Sequence, residues 1–206
     1  MASAHAWGLT MTGDPRLIRT RELLRVTLRA LLLERPLSSI SVALLCREAG
    51  VHRTTFYGHA ASVHQFAVAE FSADIDRLTT VPVEPNAETP ANVAERYRGS
   101  LQNVFSHVAG DRPAYRMLFT SDSSGAFRAA LESVLRPHAD TALRVFEELG
   151  VPGAPTRGAT RAEAAAFIAG ALVGTIDVWA NSDEEDAAAA SARITQLMPG
   201  WWPQPL

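Results

Sequence analysis

Between Ser41 and Tyr57 the chain reads S-V-A-L-L-C-R-E-A-G-V-H-R-T-T-F-Y, and this stretch restricts the fold more than any other. Ser41 is a good N-cap for a short helix over 42–49, because its side-chain oxygen can take a backbone N–H that has no partner inside the helix. Gly50 falls just past that helix, where a left-handed residue is often needed. A second short helix follows at about 52–58. Val42, Leu45, Val51 and Phe56 supply a miniature core that fixes the angle between the two helices. Cys46 sits where they cross closely, a place for a small apolar side chain. Helix, tight turn, helix is the helix-turn-helix pattern.

Punctuation elsewhere predicts an all-α chain. Apolar residues at helical spacing (Leu17, Leu24, Leu28, Leu31, Leu32) mark a helix over 16–34, stopped at Arg35-Pro36 because the residue before Pro avoids the helical region. Ser62-Val63-His64-Gln65 is a capping box opening a helix to about Thr79. Pro82, Pro85 and Pro90 make the best internal boundary, and Thr89-Pro90 opens a helix to about 109. Further helices are expected at about 112–119 and 124–149, the latter kinked or split by Pro137. Capping boxes at Thr160–Glu163 and Ser182–Glu185 open two more, to about Asn181 and Met198. No strand alternation appears. The expected architecture is about nine helices: a flexible arm at 1–15, a three-helix head at 16–61 and a larger bundle at 62–206. Met11 is a second candidate start.

The motif resembles the DNA-binding signature of the TetR family of bacterial transcriptional regulators. Ser41-Val42, Leu45-Cys46, Ala49-Gly50-Val51, Thr55-Phe56-Tyr57, His59, Ser62 and Phe66 stand in the matching places. The specific resemblance covers about residues 16–70. It implies a helix-turn-helix repressor that binds a palindromic operator in double-stranded DNA as a homodimer, responds to a small, largely apolar effector, works in the cytoplasm and uses no cofactor. It assigns phosphate contacts to Ser41 and Arg47, base-edge reading to Arg53 and Thr54 at the start of the second helix, and backbone positioning to Thr55, Tyr57 and His59, with His52 at the helix start. Arg16 and Arg19 could reach a minor groove from the arm. The departures are His52 in place of the usual Ser or Thr cap, Gly58, Ala60 in place of an aromatic, and Val63 where the family carries a Lys near the DNA backbone. They leave open a second reading, a helical ligand- or partner-binding protein of the same fold with weakened or lost DNA binding.

Charge distribution supports a nucleic-acid-binding head. The formal net charge is −3, with no Lys and all 19 basic residues Arg. Residues 1–60 carry eight Arg against four acids, a net +4, and the rest of the chain carries −7. A basic module on an acidic body is the asymmetry expected of such a head.

In the body, Ala166, Gly170 and Gly174 recur every four residues along 161–181. Small residues at that spacing let another helix approach closely, with Val173 and Trp179 packing beside the crossing. A homodimer built on this helix and the 124–149 helix is the expected use of that face. An effector pocket is expected in 90–149, with Phe105, His107, Tyr115, Phe119 and His138 as candidate lining residues. A single cysteine excludes an internal disulfide and a thiolate metal cluster. The six His form no H-E-x-x-H, and no G-x-S-x-G, P-loop or dinucleotide fingerprint occurs, so neither catalysis nor a metal site is expected. No apolar run approaches the roughly 18 residues that span a membrane.

Overall fold

The computed structural model describes residues 14–84, 88–121, 124–155 and 157–204. Among them are nine α-helices and no strand: α1 Pro15–Glu34, α2 Val42–Ala49, α3 Arg53–Tyr57, α4 Val63–Thr79, α5 Pro90–Gly110, α6 Arg112–Thr120, α7 Ser124–Glu148, α8 Gly158–Asn181 and α9 Ala187–Leu197. Contacts divide the chain into two units, Met1–Val63 and His64–Leu206.

In the first unit, α1 starts at Pro15 with Asp14 as its cap, Oδ1 accepting from the Arg16 N–H at 2.9 Å. The end of the expected arm is therefore already helix, and Arg16 and Arg19 lie in α1 rather than on a free segment; residues 1–13 fall outside those described. Leu24, Leu28, Leu31 and Leu32 bury one face of α1, which packs on α2. Leu45, Cys46 and Phe56 complete the small core.

The second unit has two aromatic centres. Phe146 and Trp202 meet edge to face at 4.9 Å, with Tyr97 against both, among Val93, Leu143 and Ile168. Phe71, Phe105, Tyr115, Phe127 and Trp179 fill the other, where the Trp179 Nε1–H donates to the Phe105 carbonyl at 2.7 Å. Helices α7 and α8 pack along each other, antiparallel by their ion pairs. Arg128 near the start of α7 reaches Asp177 near the end of α8 (2.6 Å), and Asp140, farther along α7, reaches Arg161 near the start of α8 (3.1 Å).

Four expectations change here. Pro137 does not split α7, which runs unbroken through it; burial of Leu131, Leu135, Leu143 and Phe146 on both sides outweighs the one hydrogen bond that Pro removes. Helix α8 begins before Thr160, whose hydroxyl bonds the Arg157 carbonyl. Helix α9 is capped by Asp186, not Ser182 (Oδ1 to the Ala189 N–H, 2.9 Å), while Asp183 and Glu184 bind Arg116 and Arg193. Against the expectation that no run is long enough, α8 is by length and composition alone apolar enough to cross a membrane. Its apolarity has a local use, because Ile168, Val173, Ile176 and Trp179 are buried inside the unit.

Candidate nucleic-acid interface and ligand cavity

The turn between α2 and α3 is built as its sequence dictates. Ser41 Oγ accepts the Leu44 N–H at 3.1 Å, leaving its own O–H available to a phosphate. Gly50 adopts φ 65°, a left-handed conformation that lets the Val51 N–H reach back to the Cys46 carbonyl at 2.9 Å. His52 caps α3 with its ring: Nδ1 lies 3.4 Å from the Thr54 N–H and 2.7 Å from Thr54 Oγ1. The departure from Ser or Thr at this position is thus met by an imidazole doing the same work, and Thr54 is tied to it.

Phe56 is fully buried and pins α3 to the core, which leaves His52, Arg53, Thr54 and Tyr57 facing solvent. Tyr57 is 59% exposed, its ring held edge-on by Phe56 at 5.8 Å. Thr55 and His59 are half-buried. Among the described residues the Arg53 side chain makes no hydrogen bond or ion pair. Arg47 is also exposed, but Glu48 holds it through Nε and Nη2 at 3.1 and 2.9 Å. An exposed pair of this kind contributes ~0–1 kcal/mol, so a phosphate can compete for the guanidinium. Burial pushes the Cys46 thiol up, tempered by the charge of Arg53, which marks the thiol as packing rather than a nucleophile.

The second unit holds a cavity of about 80 Å³ between α5, α7, α8, α9 and the segment after α9. Its apolar walls include Leu135, Ile168, Leu172, Met198 and Trp202, and its polar lining is Thr79, Tyr97, Arg98, Ser100, His138 and Thr195. Most of these polar groups have a partner. Ser100 Oγ donates to the Leu78 carbonyl at 2.8 Å, Thr79 Oγ1 to the Ile75 carbonyl at 2.9 Å, and Thr195 Oγ1 to the Ser191 carbonyl at 2.8 Å. Arg98 pairs with Glu95, whose carboxyl the hydrogen bond from Arg98 holds below its usual range. His138 Nε2 lies 2.7 Å from Asp76 Oδ1. Burial pushes the Tyr97 phenol up to about 12, so it stays neutral.

Of the five expected pocket residues only His138 lines this cavity. Phe105, Tyr115 and Phe119 are core side chains, at 1%, 0% and 4% exposure. His107 faces Asp74 of α4 at 3.7 Å instead. Large aromatics at helical spacing fill a core before they line a hole, and sequence spacing does not show which gap the core leaves open. The contribution of α9 and Trp202 was missed for the same reason. On α8 the expected interface residues divide. Val173 (6% exposed) and Trp179 (4%) are turned into the chain's own core. Gly170 and, in part, Ala166 and Gly174 reach the surface, with Phe167 (64%), Ala171 and Val178 (71%) beside them.

A helix-turn-helix unit joined to an all-helical unit with an internal cavity defines the class. No protein-family model matches the sequence, and no curated protein matches it. Solved structures do. RolR in complex with resorcinol aligns at TM-score 0.58 and 21% identity over 89% of each chain. The fatty acid degradation regulator FadR from Bacillus halodurans aligns at 0.60 and 17%, over 90% of this chain and 95% of that one. A TetR transcriptional regulator from Rhodococcus sp. RHA1 aligns at 0.54 and 17%, over 90% and 96%. The chain has the TetR-regulator fold.

Proposed function

We propose that the chain is an effector-responsive transcriptional regulator that binds double-stranded DNA as a homodimer through α3, acting in the cytoplasm as a repressor on a palindromic operator. The observation that carries this reading is the exposed face of α3. Among the described residues Arg53 stands there without a hydrogen-bond or ion-pair partner, beside Thr54 and Tyr57, on a helix aimed by a left-handed glycine and anchored by a buried phenylalanine. Arg53 reads a guanine edge, Thr54 a neighbouring base, and Ser41, Arg47, Tyr57 and His59 grip phosphate.

The dimer runs through α8. An added Cβ at Gly170 or Gly174 would meet nothing of the chain's own within 4 Å. Each glycine nevertheless lowers helix stability by ~1 kcal/mol relative to Ala. With no internal reason for a small residue, the close approach they permit is that of a second subunit.

The cavity supplies the effector site. It abuts the contacts that pin the end of α4, Asp76 to His138 and the Leu78 carbonyl to Ser100. An occupant that displaces those groups shifts α4, and with it the chain's path into the head, provided it binds the two states with different affinity. RolR, a fold neighbour, is described in complex with the small aromatic resorcinol. A gel shift on DNA upstream of the protein's own gene, with a salt titration, tests the reading. Log affinity should fall linearly with log salt; undetectable or sequence-indifferent binding overturns it. That outcome would favour the ligand-binding alternative, which rests on Val63 being buried (5% exposed) rather than presenting a cation at the start of α4.

A further inference from the structure

We infer that the cavity of the second unit selects a small, uncharged, single-ring ligand carrying a hydroxyl, a phenol rather than a carboxylate or an amine. The proposal rests on reading this cavity as the effector site, and three observations carry it.

The first is charge. The two cationic or potentially cationic side chains of the lining are already partnered, Arg98 by Glu95 and His138 by Asp76. An anion entering beside Arg98 would meet Glu95 as well, and a cation entering beside Asp76 would meet the imidazole that occupies it. A charged ligand would be desolvated and would have to displace an existing partner to gain a counter-charge, which favours an uncharged guest.

The second is the hydrogen-bond inventory. Asp76 carboxylate oxygens only accept, so His138 Nε2 carries the proton it donates, and Nδ1 is the ring's remaining polar atom. Among the described residues neither His138 Nδ1 nor the Tyr97 hydroxyl has a protein partner. The cavity therefore offers one phenol hydroxyl and one imidazole nitrogen. A ligand hydroxyl both donates and accepts, so it can serve the two together. A carboxylate only accepts, and an ammonium only donates.

The third is size and shape. About 80 Å³ is less than the roughly 150 Å³ that admits benzene in an engineered cavity. One ring enters only if an adaptable wall gives way. Met198, an unbranched thioether on the lining, can provide that movement. Two fused rings would require Leu135 or Ile168, both buried in the core, to move as well. Trp202 and Tyr97, whose rings stand 5.8 Å apart, present aromatic surface to a planar guest.

Isothermal titration calorimetry of the full chain without DNA tests this with three guests of similar shape: 4-methylphenol, p-xylene and 4-methylbenzoate. The phenol should bind tightest and the benzoate at least tenfold more weakly. Tyr97→Phe, checked for folding by circular dichroism, should weaken the phenol roughly three- to tenfold, the value of one neutral hydrogen bond, and leave p-xylene unchanged. Three results each overturn the proposal: benzoate binding as tightly as the phenol, p-xylene matching the phenol, or no guest binding at all. If Tyr97→Phe does not fold, the ranking on the unaltered protein still decides. Because no DNA is present, failure to shift an operator leaves this result standing, and a shifted operator does not rescue a failed ranking.

Discussion

Replacing Gly170 and Gly174 of α8 by alanine separates a helix that faces solvent from one that faces a partner. Neither added Cβ meets an atom of the same chain within 4 Å, so nothing inside the monomer resists the change. Each substitution removes the backbone entropy that glycine loses on folding, ~0.8–1 kcal/mol per site, and the isolated chain should gain ~2 kcal/mol in all. In a symmetric dimer the same change places four methyl groups at the helix crossing. Over-packing a close contact costs ~1–3 kcal/mol per site. Even at the low end, four methyls at ~1 kcal/mol each raise the dimer dissociation constant roughly a thousandfold. Sedimentation velocity across a nanomolar to micromolar series reads the dimer, and urea unfolding at low protein concentration reads the monomer. Gly99→Ala on α5 is the control, since that glycine also has no neighbour within 4 Å but lies off the proposed interface. The expected result is a more stable chain that associates less. A variant that gains stability with its dimer affinity unchanged would refute the close crossing, and an unaltered chain that is monomeric at micromolar concentration would refute the dimer itself.

Arg53→Ala should relax base preference at one position of each half-site by ~1–3 kcal/mol, read by competition gel shifts with single-base operator variants; an unchanged preference removes Arg53 as a reader. Gly50→Ala forces a Cβ into a φ of 65° and should lower stability by ~1–2 kcal/mol and weaken DNA binding through misaimed α3, measured by denaturant melts and gel shifts. Tyr97 should titrate at about 12. Its neutral form is favoured by folding, so its contribution is fully present below its unfolded value near ~10 and disappears as pH rises to about 12. The loss is ~2–3 kcal/mol at ~1.4 kcal/mol per unit, it should be absent in Tyr97→Phe, and a flat alkaline stability difference between the two would contradict it.

Much of the head was legible because its determinants are local. A cap, a glycine and a buried aromatic at fixed offsets are enough to set α2 and α3, and Ser41, Gly50 and Phe56 stand at those offsets. The one local surprise, His52 as a cap, needed an imidazole folded back on Thr54, which composition alone does not show. The body was legible in its helices and opaque in its cavity. Helix starts moved to 158 and 187 because the Thr160 hydroxyl bonds the Arg157 carbonyl from inside α8 and Asp186, not Ser182, caps α9. The cavity depends on which of many apolar side chains fails to fill a gap, a property of several packed helices and a tail, not of any one of them. The split of α8 into buried Val173 and Trp179 and exposed Gly170 follows from which faces α5, α6 and α7 cover, and that also lies outside the helix's own sequence.

The all-Arg composition acquires a meaning from where the guanidinium groups end up. Every arginine of the second unit is engaged, with a carboxylate or, for Arg112, with the carbonyls of Trp179 and Glu184 near the end of α8. Arg116 adds bonds to the Ala180 and Ser182 carbonyls, so two arginines of α6 hold the end of α8 where its carbonyls lack helical donors. A lysine has three donors on a single nitrogen and lacks the planar fork whose separate nitrogens reach carbonyls set apart from one another. Among the described residues the side chains of Arg16, Arg19 and Arg53 make no such contact, and all three lie in the first unit. One residue type thus does two jobs, locking the body and leaving charge available in the head. The net charge of −3 conceals this: the body's surplus of acid is spread over already paired arginines, whereas the head's smaller positive excess includes groups free to meet phosphate.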